Sequence, residues 1–157
     1  MTPMDVALDH LPSLRLGVVP HTGAYSQIGP AFETLGGIAG RAGLFNEAST
    51  VMLGVYHDDP NVTAPADLRS DAAVTLTDGA TLPDGLVERH VAGGRYARYT
   101  HIGPYEMLVD AWTRFMSDGL PASGCELRDG PALEIYRNDP GTTPPAQLHT
   151  DLMLPVR

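Results

Sequence analysis

A chain of 157 residues, 43% hydrophobic and 18% charged, is long enough for one globular domain with a sizeable core and short for two. Its ten basic residues are all arginine and stand against 19 Asp plus Glu, for a net charge of −9; this disfavours direct contact with nucleic acid or an anionic membrane, and the lack of lysine excludes Schiff-base chemistry and a Walker-type phosphate lysine. Cys125 is the single cysteine, so neither a disulfide framework nor a cysteine-based zinc cluster is expected, and with no signal-like leader and no apolar run near 18 residues the expected location is cytoplasmic.

From the N-terminus, Leu14 to Pro20 reads as a strand ending at His21-Thr-Gly23, where glycine permits a sharp turn into a helix. Ile28, Ala31, Phe32, Leu35, Ile38, Ala39 and Ala42 then recur at helical spacing, with Pro30 in the first turn, where a missing N–H does least harm. Val51 to Tyr56 reads as a strand closed by His57-Asp-Asp-Pro60, and Arg69 to Leu76 as another. A turn-rich joint, Thr77 to Gly85, follows.

The remainder repeats this unit at an offset of 80. His21, Gly23 and Tyr25 fall on His101, Gly103 and Tyr105; Phe32 falls on Trp112, Leu53 on Leu133, Val55 on Ile135, Tyr56 on Tyr136 and Asp71 on Asp151, with no gap required. The second helix has the stripe Leu108, Ala111, Trp112, Phe115 and Met116, with Gly119 and Pro121 as its stop. Strands follow over Ala132 to Tyr136 and His149 to Val156. The expectation is therefore an α+β fold, a single domain over 1–157 with repeat one at about 1–80 and repeat two at about 81–157. Each repeat reads β-α-β-β, with antiparallel sheets and one helix per module. The two modules are expected to pack about a pseudo-twofold axis, so that their helix-free sheet faces form a central ligand cleft.

The residue that stands out is Glu134, a carboxylate in an otherwise apolar strand. Alternation puts Leu133 and Ile135 on one face and Ala132, Glu134 and Tyr136 on the other, which is either solvent or a cavity. Gly54 holds the matched place in the first copy, so one half offers a charge and the other space, as a cleft with one polar anchor needs. Tyr56 and Tyr136 share those faces and are either sheet packing or walls for a flat or cationic ligand. Trp112 belongs to the helix stripe and reads as core with an edge that can reach a cleft; Tyr96 is a further wall candidate whose face is not assigned. His21 and His101 read as structural, beside a turn glycine. No metal-ligand spacing, nucleophile elbow or phosphate loop is present, so no metal and no cofactor is expected.

His-x-Gly-x-Tyr before each helix, the pair Ala111-Trp112, and Leu-Glu-Ile-Tyr-x-Asn-Asp-Pro at 133–140 resemble the GyrI-like superfamily: DNA gyrase inhibitor proteins and the effector-binding domains of AraC-type and MerR-type drug-responsive regulators. The resemblance covers essentially the whole chain and rests on the ordered set of motifs. It implies duplicated modules of SHS2 type whose cleft binds amphipathic, often cationic or aromatic small molecules. It also implies a glutamate, matching Glu134, at the floor of that cleft, with aromatic walls. A stand-alone, monomeric or weakly dimeric drug-binding protein is the first expectation, with Glu134, Tyr136, Tyr56, Trp112, Gly54 and Tyr96 as ligand-binding residues. The alternatives are a hydrolase that opens cyclopropane-type electrophiles with Glu134 as catalytic general base, and an inhibitor that contacts DNA gyrase.

Overall fold

The computed structural model describes residues 4–157. In chain order the elements are β1 (Val6–Leu11), β2 (Leu14–Thr22), α1 (Gly29–Arg41), β3 (Met52–Tyr56), β4 (Arg69–Thr75), β5 (Val87–Val91) and β6 (Gly94–Ile102). There follow α2 (Leu108–Arg114), a π turn (Phe115–Gly119), α3 (Leu120–Ser123), β7 (Ala132–Tyr136) and β8 (His149–Pro155). The fold is α+β with antiparallel strands throughout. Two compact units form: Pro12–Ala92, and Gly93–Arg157 together with the segment through Leu11.

In the Pro12–Ala92 unit the strand order is β3-β4-β2-β5, and in the other it is β1-β6-β8-β7. β1 and β5, which the sequence reading did not assign, are therefore exchanged: β1 directly precedes β2 yet pairs with β6, and β5 directly precedes β6 yet pairs with β2. The charges at one repeat position account for this choice. Positions 9 and 89 correspond at the offset of 80, but one is Asp and the other Arg. Asp9 on β1 accepts from Arg98 Nε on β6 at 2.6 Å, while Arg89 on β5 pairs with Asp71 on β4, Nη2 to Oδ1 at 3.2 Å. With each strand kept beside its own successor, Asp9 would stand against Asp71 and Arg89 against Arg98. Asp71 is 1% exposed, and a second carboxylate beside a buried one is strongly unfavourable.

Each helix covers one sheet face of its own unit. Leu35 and Ala39 of α1 pack on Ala72 and Val74 of β4, with Phe32, Ile38 and Val19 around them; Leu108, Ala111, Phe115 and Leu120 pack on Ala97, Leu152 and Leu154, with Trp112, Tyr99 and Ala132 around them. The opposite faces are buried too: Leu16, Val18, Leu53, Val55, Leu133 and Met153 have no exposed surface. Burial on both sides explains the near-continuous apolar runs of β3 and β7.

Gly119 and Pro121 do not stop the second helix, as the sequence suggested. A π turn at Phe115–Gly119, in which Leu120 N–H donates to Phe115 O, re-phases the ladder, and Pro121 falls in the first turn of α3, where its missing N–H is tolerated. The helix ends at Gly124, φ 74°, the counterpart of Gly43, φ 73°. Those two glycines lie 81 apart, not 80 (124 − 43). The π turn is thus a one-residue insertion, offset by a connection to β7 one residue shorter than that to β3.

Arg89→Ala leaves the Asp71 carboxylate its contact with His57 Nε2, at 2.6 Å. Because Arg89 is about one-third exposed, the expected loss is about 1–3 kcal/mol in urea denaturation, below the full cost of breaking a buried pair. Hydrogen exchange should accelerate in β2 and β4 and not in β6 and β8; acceleration in β6 and β8 instead would contradict the exchanged pairing.

Candidate functional site

The site grows out of β7. Register along β7, β8 and β6 places Glu134, Leu152 and Tyr99 on one face, and Leu152 belongs to the core under α2. Glu134 therefore lies on the helix-bearing face of its unit, not on the helix-free face that the sequence reading assigned to the ligand cleft. It is 6% exposed. Its two oxygens accept short hydrogen bonds from Trp112 Nε1–H at 2.6 Å and from the Tyr136 hydroxyl at 2.6 Å. Charge-assisted bonds of this length are among the stronger ones a protein makes, and they offset part of the cost of withdrawing a carboxylate from water.

Local sequence explains each placement. Tyr136 is two residues along the strand from Glu134 and so shares its face. Trp112 sits on the helical stripe between Leu108 and Phe115, with its ring 6.1 Å from that of Phe115; this packing leaves the indole N–H turned towards the sheet. Trp112 thus serves core and site together. A fourth residue, Tyr105, was not singled out by sequence reasoning. Its ring lies 5.5 Å from that of Tyr136, and burial, with the nearby Glu134 charge as the second cause, pushes its hydroxyl above the usual tyrosine range. Among the described residues the Tyr105 hydroxyl has no hydrogen-bond partner. The signal was present in the His-x-Gly-x-Tyr motif, which read as turn chemistry. The turn is real: His21 and His101 each donate from Nε2 to the carbonyl three residues on, Ala24 and Pro104, at 3.2 Å.

The first copy has the same aromatic pair and no charge. Tyr25 and Tyr56 meet edge to face at 4.8 Å, and the Tyr25 hydroxyl donates to Asp58 O at 2.6 Å. Tyr56 lies across Gly54 so closely that a Cβ there would come within 2.7 Å of the Tyr56 hydroxyl oxygen. Gly54 is required by that approach. Tyr96 does not join the Glu134 group. It faces the opposite side of the sheet, is 1% exposed, and has the Arg128 guanidinium 4.9 Å above its ring. No group of three or more His, Cys, Asp or Glu suited to a metal ion occurs among the described residues, and no described helix is long and apolar enough to cross a membrane.

Residues 4–157 match the family described as GyrI-like small molecule binding domain. A DNA gyrase inhibitor from Edwardsiella ictaluri is 32% identical over 142 residues, covering 87% of this chain and 88% of that protein. The probable transcriptional regulator YgiV of Escherichia coli K12 is 27% identical over 156 residues, covering 98% and 96%. Among solved structures, the EcmrR C-terminal domain superposes with a TM-score of 0.74 at 15% identity, covering 98% of each chain. SAV2435 bound to tetraphenylphosphonium does so with a TM-score of 0.66 at 16% identity, covering 98% of this chain and 94% of that one.

The two tyrosines beside the carboxylate separate by their hydroxyls. Tyr136→Phe removes a bond to a charged acceptor and should cost about 1.5–3 kcal/mol, whereas Tyr105→Phe, which removes no hydrogen bond, should stay within about 0.5 kcal/mol. Urea denaturation of both variants checks this; equal losses would contradict the assigned pairing.

Proposed function

This chain belongs to the GyrI-like family of small-molecule-binding domains, and on that premise we propose that it binds an amphipathic organic cation, with Glu134 as the electrostatic anchor. The observation that carries the reading is the buried Glu134 carboxylate held between Trp112 and Tyr136. Both donors are neutral, so they fix the carboxylate in place without cancelling its charge. Trp112 and Tyr136 turn their polar edges to it, Tyr105 packs 5.5 Å from Tyr136, and a cation that lies over one of these rings gains about 0.5–2 kcal/mol. A structural relative at TM-score 0.66 holds tetraphenylphosphonium, a cation with no hydrogen to donate. Such a ligand suits an anchor whose two oxygens already accept bonds.

The same arrangement argues for anchoring over general-base catalysis. A base must present a lone pair to the water it activates, and two of about four acceptor positions on the Glu134 carboxylate are already taken by side-chain donors that hold it in place. Contact with DNA gyrase is a second reading, favoured by the 32% identical relative named DNA gyrase inhibitor; the acidic balance of the chain, net charge −9, suits a basic protein surface. It is independent of the cation site.

Isothermal calorimetry with tetraphenylphosphonium and a panel of cationic dyes should show at least about tenfold weaker binding to Glu134→Gln than to the wild type, about 1.4 kcal/mol. Equal affinities would remove Glu134 as the anchor. For the second reading, excess protein should slow DNA gyrase in a supercoiling assay, and an undisturbed rate would dispose of it.

A further inference from the structure

The exchange of β1 and β5 has the topology of two chains that trade their first strands, enclosed by duplication in a single chain. Among the described strands β1 forms its ladder with β6 alone, from Val6↔Tyr99 to Leu11↔Gly94. Met4 and Val6 pack against the core under α2, where Gly119 makes room for them: a Cβ there would meet Val6 Cγ2 at 3.1 Å and Met4 Sδ at 3.2 Å. Asp9 fixes the register by accepting from Arg98 Nε at 2.6 Å. Only Pro12 and Ser13 separate β1 from β2. A two-residue hairpin needs a residue at φ > 0, and proline holds φ near −65°, so this link does not fold β1 back onto β2 and leaves it to seek an edge elsewhere.

We propose that the slot beside β6 also takes β1 from a second copy of this chain, giving a closed dimer in which the two chains trade β1. The ladder, the seat at Gly119 and the Asp9–Arg98 pair are the same whichever chain supplies the strand. Charge selects the slot. Beside β2 of the second copy an incoming Asp9 would stand against Asp71, which is 1% exposed, and a second carboxylate there is strongly unfavourable. Beside β6 it meets Arg98. The exchange is therefore reciprocal and stops at two chains. Within one chain the tethered strand competes at an effective concentration on the order of millimolar, so the dimer forms when chains fold together near that concentration. Once formed it persists on dilution, because β1 must give up its six-residue ladder before it can return.

The test refolds the full chain from urea, once at about millimolar concentration and once about a thousandfold lower, and sizes both samples by light scattering after dilution to a common concentration. The concentrated sample should hold a lasting dimer and the dilute one monomer. Monomer from both overturns the proposal, and so does a dimer that dissociates at once on dilution, which is the mark of a surface contact. A second arm uses Asp9→Arg and Arg98→Asp. Each variant alone sets like charges together at the slot, in the closed monomer and in its own dimer, and should melt below the wild type. Refolded together, the two chains restore an unlike pair at both slots of a mixed dimer. Native mass spectrometry, which separates the variants by mass, should show the mixed dimer favoured over either like dimer by about tenfold for each restored pair. A mixture of dimers in statistical proportion, or no dimer at all, overturns the proposal. If Arg98→Asp does not fold alone, its recovery in a folded mixed dimer supports the exchange, and a failure to recover beside Asp9→Arg counts against it.

Discussion

The constraint on which the site depends is the pair of short hydrogen bonds that hold the Glu134 carboxylate under α2. A carboxylate 6% exposed is costly to maintain in a small domain unless its oxygens are satisfied. Trp112 and Tyr136 satisfy them from two directions, one from the helix and one from the strand itself. Helix and sheet are thereby tied at a charged point as well as through their apolar contact. The geometry is inherited from packing. Phe115 beneath Trp112 sets the ring, and the ring sets the N–H.

Duplication gives this chain an internal comparison that a single-copy domain lacks. The two units share the turn histidines, the tyrosine pair and the strand order, and they differ at a few places that matter. Gly54 corresponds to Glu134 at the offset of 80, and Tyr56 folds into the space that Gly54 leaves. Asp9 corresponds to Arg89 at the same offset, and with β1 and β5 exchanged each charge finds its complement. Both copies keep the tyrosine pair and the second also sets a carboxylate beside it, and opposite charges at positions 9 and 89 favour the strands that β1 and β5 join.

Much of this was legible beforehand. The repeat, six of the eight strands, the helical stripes, the histidine turns and the shared face of Glu134 and Tyr136 all follow from period and local chemistry. The exchange of β1 and β5 was not, because a short strand carries no mark of its partner; the opposite charges at positions 9 and 89 were the only clue. The helix-bearing side of Glu134 was missed for a related reason. Alternation assigns residues to two faces without saying which face the helix covers, and Leu133 and Ile135 looked like the helix side when both sides are buried. Tyr96 needed the register through β6 and β8 before its face could be known. The π turn escaped because glycine and proline at 119 and 121 normally end a helix, whereas an i to i−5 step tolerates both.

The most direct measurement follows the indole N–H of Trp112, the single tryptophan of the chain, by nitrogen-edited NMR during titration with tetraphenylphosphonium. Bound next to Glu134, the cation must disturb the hydrogen bond that this N–H donates, so its resonance should shift progressively and saturate with the binding isotherm. A resonance that stays in place while calorimetry reports saturation would show that the ligand binds elsewhere, and the account of Glu134 as its anchor would be wrong.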